Sequence, residues 1–214
     1  MTKKLLFIDT ETTGTIPGQH GMIQLGVIVD IWSGGVLTRT EEKSWLIQPH
    51  RKDFIAEKAL EVNRRTGAEI MTAPFRPPLE VVPEVITFLD DVVNKYDKTD
   101  KLHPCGYNVG FDVDFLAAWF KKVQFDYFFS YLNNQRLDPM SYAFFLTASG
   151  LLETENHKLE TIAKEFGIEF GGEGAHDAMS DVTATRELFY HMQRNFSWKG
   201  QPLHLSRELE GSTG

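Results

Sequence analysis

The chain has 214 residues, 42% of them hydrophobic, with a formal charge of −8 and a pI near 5.4. That suffices for one full core; Cys105, the lone cysteine and by its apolar surroundings a buried structural thiol, excludes an internal disulfide, so a reducing, cytoplasmic setting is expected. The negative balance excludes a protein that coats long duplex nucleic acid through its overall field, the absence of an 18-residue apolar run excludes a membrane span, and the opening Met1-Thr2-Lys3-Lys4-Leu5 does not read as a signal peptide.

Three early segments read as strands: residues 4 to 9, 22 to 31, and about 43 to 48 around Trp45-Leu46-Ile47. Their closeness predicts antiparallel pairing. From residue 54 the period changes, and 54 to 62 and 81 to 93 read as helices. Between them lies Pro74-Phe75-Arg76-Pro77-Pro78, either a surface connection or a stretch that docks a partner. A buried strand is expected near 102 to 107, a helix from about Phe111 to Val123, a short strand near 135 to 138, and three helices beginning near Pro139, Lys158 and Asp177. Strands in a meander, then alternating with helices, predict an α/β fold: a mixed five-stranded sheet flanked by helices on both faces. Residues 1–195 read as one domain. Residues 196–214 lose periodicity and end in Glu-Gly-Ser-Thr-Gly, so a flexible C-terminal tail is expected.

The apolar run Leu5-Leu6-Phe7-Ile8 delivers Asp9 and Glu11 where the first strand is expected to end. Strand alternation points both carboxylates to one side of the sheet, where they repel unless a cation sits between them. Hard oxygen ligands suit Mg²⁺ or Mn²⁺; an ordinary acidic turn is the alternative. On the expected helix from about residue 110, Asp112 shares the apolar stripe of Phe115, Leu116 and Trp119. A carboxylate there needs a metal, a cation or backbone donors, unless it serves as a helix-start acid favoured by the dipole. Asp114 lies on another, solvated face. Near the end, Gly171-Gly172-Glu173-Gly174 leads into a helix whose stripe is Ala178, Val182, Phe189 and Met192, with Asp181 beside it. His176, at the helix start on a movable segment, is either a surface residue or a catalytic one, and Asp177 reads as the helix cap.

Taken together, Asp9-Thr-Glu11-Thr-Thr-Gly14, Asn108-Val-Gly-Phe-Asp112-Val-Asp-Phe-Leu116, and His176 followed by Asp181 with four residues between, resemble the motifs of the DEDDh group of 3′-5′ exonucleases. That family includes the proofreading subunit of bacterial replicative polymerases. The resemblance covers about residues 4 to 195, with further matches at Ile23-Gln24-Leu25-Gly26 and Leu159 to Ile168. Tyr107 stands where many members have histidine, and Asn63 where some have a histidine contacting the terminal nucleotide.

The resemblance implies an RNase H-like fold and two divalent ions, Mg²⁺ or Mn²⁺, clamping an in-line displacement at phosphorus. Asp9 bridges both ions in this reading, Glu11 and Asp181 hold the one that activates water, and Asp112 fixes the other directly or through its waters. His176 takes the water's proton. Thr10, Thr12, Thr13, Gly14, Asn63, Asn108 and Phe111 are the implied contacts to the terminal nucleotide. The implied partner is a single-stranded DNA 3′ end, with a DNA polymerase or replication protein as a candidate; RNA trimming or oligonucleotide degradation is the alternative on the same chemistry. A non-catalytic nucleic-acid-binding module is a third reading.

Overall fold

The computed structural model describes residues 2–170, 177–195, 197–198 and 201–202. Its first three strands, β1 (Thr2–Thr12), β2 (Met22–Ser33) and β3 (Val36–Leu46), form the antiparallel meander that their apolar runs predict. β1 outruns the expected 4 to 9. Thr10, Glu11 and Thr12 still pair with Leu25, Gln24 and Met22, so Asp9 and Glu11 lie inside the strand instead of at its end. β3 begins well before residue 43 because Gly34 and Gly35, at φ 60° and 86°, close a two-residue hairpin turn. Its edge residues Thr38, Arg39, Glu42 and Lys43 are exposed and polar, so apolar alternation cannot reveal them.

β4 (Leu102–Cys105) runs parallel to β1 on the other side, giving the order β3-β2-β1-β4. Among the described residues the sheet has four strands. The fifth strand expected near 135 to 138 is reduced to isolated bridges from Leu102 to Leu132 and from Cys105 to Leu137. On that edge Leu102 donates to Tyr131 O and Pro104 accepts from Leu137 N. Pro104 has no N–H to donate back, so the ladder breaks between the two bridges.

Among the described residues six α-helices follow: α1 (Glu57–Val62), α2 (Pro78–Val92), α3 (Val109–Lys122), α4 (Pro139–Ala148), α5 (Leu159–Glu165) and α6 (Ala178–Asn195). The proline-rich stretch is the connection into α2, and Pro78 takes its first helical position. Asp138 caps α4, its Oδ1 accepting from Met140 N at 3.0 Å. The sheet is covered on both faces, as its alternation requires. Leu6 and Ile8 pack with Val81, Val85, Val113 and Leu116 of α2 and α3. Leu5 and Phe7 pack with Val182 and Tyr190 of α6 on the opposite face. In the expected tail, Ser197–Trp198 pairs with Gln201–Pro202.

One buried network ties α6 to the sheet. Asp30 of β2, fully buried, accepts from Arg186 Nε at 2.7 Å and Nη2 at 3.1 Å, from Tyr190 Oη at 2.7 Å and from Thr40 Oγ1 at 2.7 Å. Trp32 Nε1 donates to the same Tyr190 hydroxyl at 2.9 Å. Each buried polar group thus has a partner, which is the condition for burying an ion pair. Among the described residues no helix is long and apolar enough to cross a membrane.

Candidate active site

The site grows from the place where β1 loses a neighbour. β4 ends at Cys105, opposite Phe7, so β1 beyond that point has β2 on one side and an open edge on the other. The first turn of α3 fills the gap. Asp112 Oδ1 accepts from Thr10 N at 2.9 Å and from Thr10 Oγ1 at 2.8 Å. The acid on the apolar face of α3 therefore has the backbone donor its burial demands.

Asp9 and Glu11 follow Leu5 and Phe7 on the α6 side of the sheet, and Asp181 sits in the first turn of α6. One carboxylate oxygen from each of these three lies within 4.8 Å of the others. All three are half-buried, while Asp112 is buried beside them. Oxygen-only donors at this spacing match the needs of a hard divalent cation. The electrostatics agree. Burial, then Asp112, Asp181 and Glu11, holds the Asp9 carboxyl well above the usual range. Burial, then Asp181 and Asp177, pushes Glu11 up to about 8 against the weaker pull of Arg65. Burial raises Asp112 to about 7, partly offset by the bonds from Thr10.

Those shifts set a measurable pH dependence. The unfolded chain releases such protons near pH 4, whereas the folded chain keeps them to about pH 7 to 8. The folded state then binds more protons across that window, so metal-free stability falls as pH rises through it. The Tm of chelator-treated protein is expected to be at least about 5 °C lower at pH 8.5 than at pH 5.5, with Mn²⁺ restoring the loss and Glu11→Gln flattening the slope. A Tm that stays level or climbs over this range would contradict the arrangement.

The turn after β1 is tied down from several sides. Thr13 is fully buried; its Oγ1 donates to Phe54 O and accepts from Gly21 N, so its hydroxyl shapes the turn and has no surface for a nucleotide. Thr12 Oγ1 donates to Gly14 O at 2.7 Å, and Asn63 Nδ2 donates to Thr12 O at 3.0 Å. A Cβ on Gly14 would lie 2.0 Å from His20 Cδ2, so the buried His20 ring requires glycine there. Asn108, exposed in the left-handed region at φ 64°, precedes α3, and half-buried Phe111 packs tilted against Phe115, with centroids 4.6 Å apart and ring planes at 42°. Tyr107 turns to His157, its Oη donating to the carbonyl at 2.7 Å.

The structure thus brings together Asp9, Glu11 and Asp181, with Asp112 joined to them through Thr10. His176 and the glycine-rich segment before it lie outside the described residues. Sequence reasoning missed the roles of His20 and of Gln24, whose Nε2 donates to Asp177 Oδ1. The signal for Gln24 was its place in Ile23-Gln24-Leu25-Gly26, on the strand that pairs with the two acids.

Comparison with known proteins accords with this geometry. The exonuclease family RNase_T matches residues 6–189. The chain is 24% identical over 212 residues to ribonuclease T of Buchnera aphidicola, covering 94% of this chain and 87% of that protein. It is 26% identical over 190 residues to the 3′-5′ DNA exonuclease Cap18 of Escherichia coli, covering 88% and 91%. E. coli exonuclease I in complex with a dT13 oligonucleotide shares the fold at a TM-score of 0.71 and 22% identity; the match covers 90% of this chain but only 41% of that one. With the family match running from β1 into α6 and so spanning the acidic cluster, the chain belongs to the RNase_T exonuclease family, the type to which its DEDDh motifs point.

Proposed function

We propose that this exonuclease attacks the 3′ end of single-stranded DNA, releases 5′-mononucleotides, and uses two divalent ions, Mg²⁺ or Mn²⁺, with His176 as general base. The observation that carries the reading is the convergence of Asp9, Glu11 and Asp181 within 4.8 Å, from a strand and a helix far apart in the chain. These three would hold the ions, with Asp112 contributing directly or through water. Bound there, the ions supply Lewis acidity and neutralise charge on the phosphate.

The remaining steps belong to the chain's own groups. His176 takes the proton of the attacking water, a task an imidazole suits at neutral pH, a free histidine having a pKa near 6.5. Asn108 and Phe111, on the turn that carries Asp112, face the terminal nucleotide, and the Phe111 ring offers a stacking surface that discriminates little among bases. Gly14, Thr12 and Asn63 form the other wall, and residues 1–195 are the catalytic unit in this reading. DNA is favoured because Cap18 is named for DNA and exonuclease I was captured with dT13. The likeness to ribonuclease T favours RNA as the second reading.

Matched single strands of DNA and RNA, labelled at the 5′ end, test both readings. Stepwise shortening from the 3′ end with mononucleotide release, dependent on Mg²⁺ or Mn²⁺ and faster on DNA, is the expected result. Faster RNA digestion moves the substrate to RNA, and equal rates with and without chelator remove the metal mechanism.

A further inference from the structure

The segment Ile23-Gln24-Leu25-Gly26 has no task in the reaction above. Gln24 and Gly26 lie opposite Glu11 and Asp9 in the β1–β2 register, so they share a face with the two carboxylates. On that face α6 begins. A Cβ on Gly26 would lie 2.7 Å from the carbonyl carbon and oxygen of Ala178 and 3.0 Å from Met179 N, so only a glycine lets the helix start rest on the strand. Gln24 is 7% exposed, and its Nε2 donates to Asp177 Oδ1 and, at 3.4 Å, to Ser44 Oγ on β3. Asp177 O in turn accepts from Asp181 N at 3.0 Å, which links the tether to the acid by one hydrogen bond.

We propose that Gln24 and Gly26 are positioning residues: they set the height and rotation of the α6 N-terminus and so hold Asp181 against Asp9 and Glu11. This rests on the exonuclease reading of the cluster. Gly26 works by leaving room, and Gln24 by supplying a donor. A neutral amide suits the place, because a carboxylate at position 24 would set one more anion beside Asp177 and Glu11, whereas the amide grips Asp177 without adding charge.

Gln24→Leu removes the donor at similar volume, and Gly26→Ala presses a methyl on the helix backbone. In the metal-free full chain, exchange of amides 178–182 is expected to speed up at least about tenfold in both variants, while α3 keeps its protection. Mn²⁺ affinity and kcat on a labelled single strand are each expected to fall about ten- to a hundredfold, with KM within about twofold. If Gly26→Ala does not fold, Gln24→Leu decides. Wild-type exchange, affinity and kcat in Gln24→Leu overturn the proposal, as does protection lost equally from α3 and α6, the mark of general destabilisation. A wild-type chain that binds Mn²⁺ without hydrolysing nucleic acid, while the variants still loosen 178–182 and lose Mn²⁺, supports the positioning role and overturns the exonuclease reading instead.

Discussion

Asp9→Ala is expected to lower kcat at least about 10⁴-fold, roughly 5 kcal/mol of transition-state stabilisation, without unfolding the chain. Asp9 shares the cluster with Glu11 and Asp181 and is repelled by Asp112, Asp181 and Glu11 together. Removing it takes away a proposed ligand and a crowded anion at once. Metal-free Tm at pH 8 should therefore hold or rise, since the deleted carboxylate was half-buried and crowded by like charges. His176→Ala provides the contrast: it leaves the cluster's carboxylates in place and should cost only about 10² to 10⁴, the usual reach of general-base catalysis. Initial rates at saturating Mn²⁺, with melting curves on the same preparations, check both. Asp9→Ala at wild-type rates would remove the carboxylate cluster from the chemistry, and a collapse of Tm would show that Asp9 serves the fold.

That contrast also marks where the sequence could and could not be read. Asp9 and Glu11 were legible because strand alternation is a property of the polymer: two residues apart, they must share a face whatever packs above. Asp112 and Asp181 were legible as acids beside apolar helical stripes. Asp112's partner was not, because Thr10 N–H needs an acceptor only once β4 has stopped at Cys105, which is a fact of tertiary pairing. The broken edge strand follows from Pro104, visible in the sequence but meaningful only when the direction of its missing donor is known. β3 escaped in part because a charged edge strand carries little apolar rhythm. Thr13 adds a contact no motif reveals: its hydroxyl, on a residue implied to lie against nucleotide, is bonded to Phe54 and Gly21.

The Asp30–Arg186 pair, 156 residues apart, leaves no mark in one dimension, yet it predicts the largest loss of stability. Arg186→Met is expected to cost about 3 to 5 kcal/mol, because it strands a fully buried carboxylate to which, among the described residues, Thr40 and Tyr190 still donate. For a chain of this length that lowers Tm by roughly 6 to 20 °C. Pairing it with Asp30→Leu should recover much of the loss, since two apolar groups leave no charge to compensate. The effect on catalysis should be small by comparison. Arg186 lies on α6 beyond Asp181, and the helix start is held separately, by Gly26 beneath Ala178 and Gln24 on Asp177. Activity measured well below the melting transition should therefore stay within about threefold of wild type, because sites held by separate contacts act nearly independently. A single variant that loses under about 1 kcal/mol would mean the carboxylate finds water or another donor when the guanidinium goes. A hundredfold fall in rate at full folding would mean that the whole of α6, and not its first turn, sets the position of Asp181.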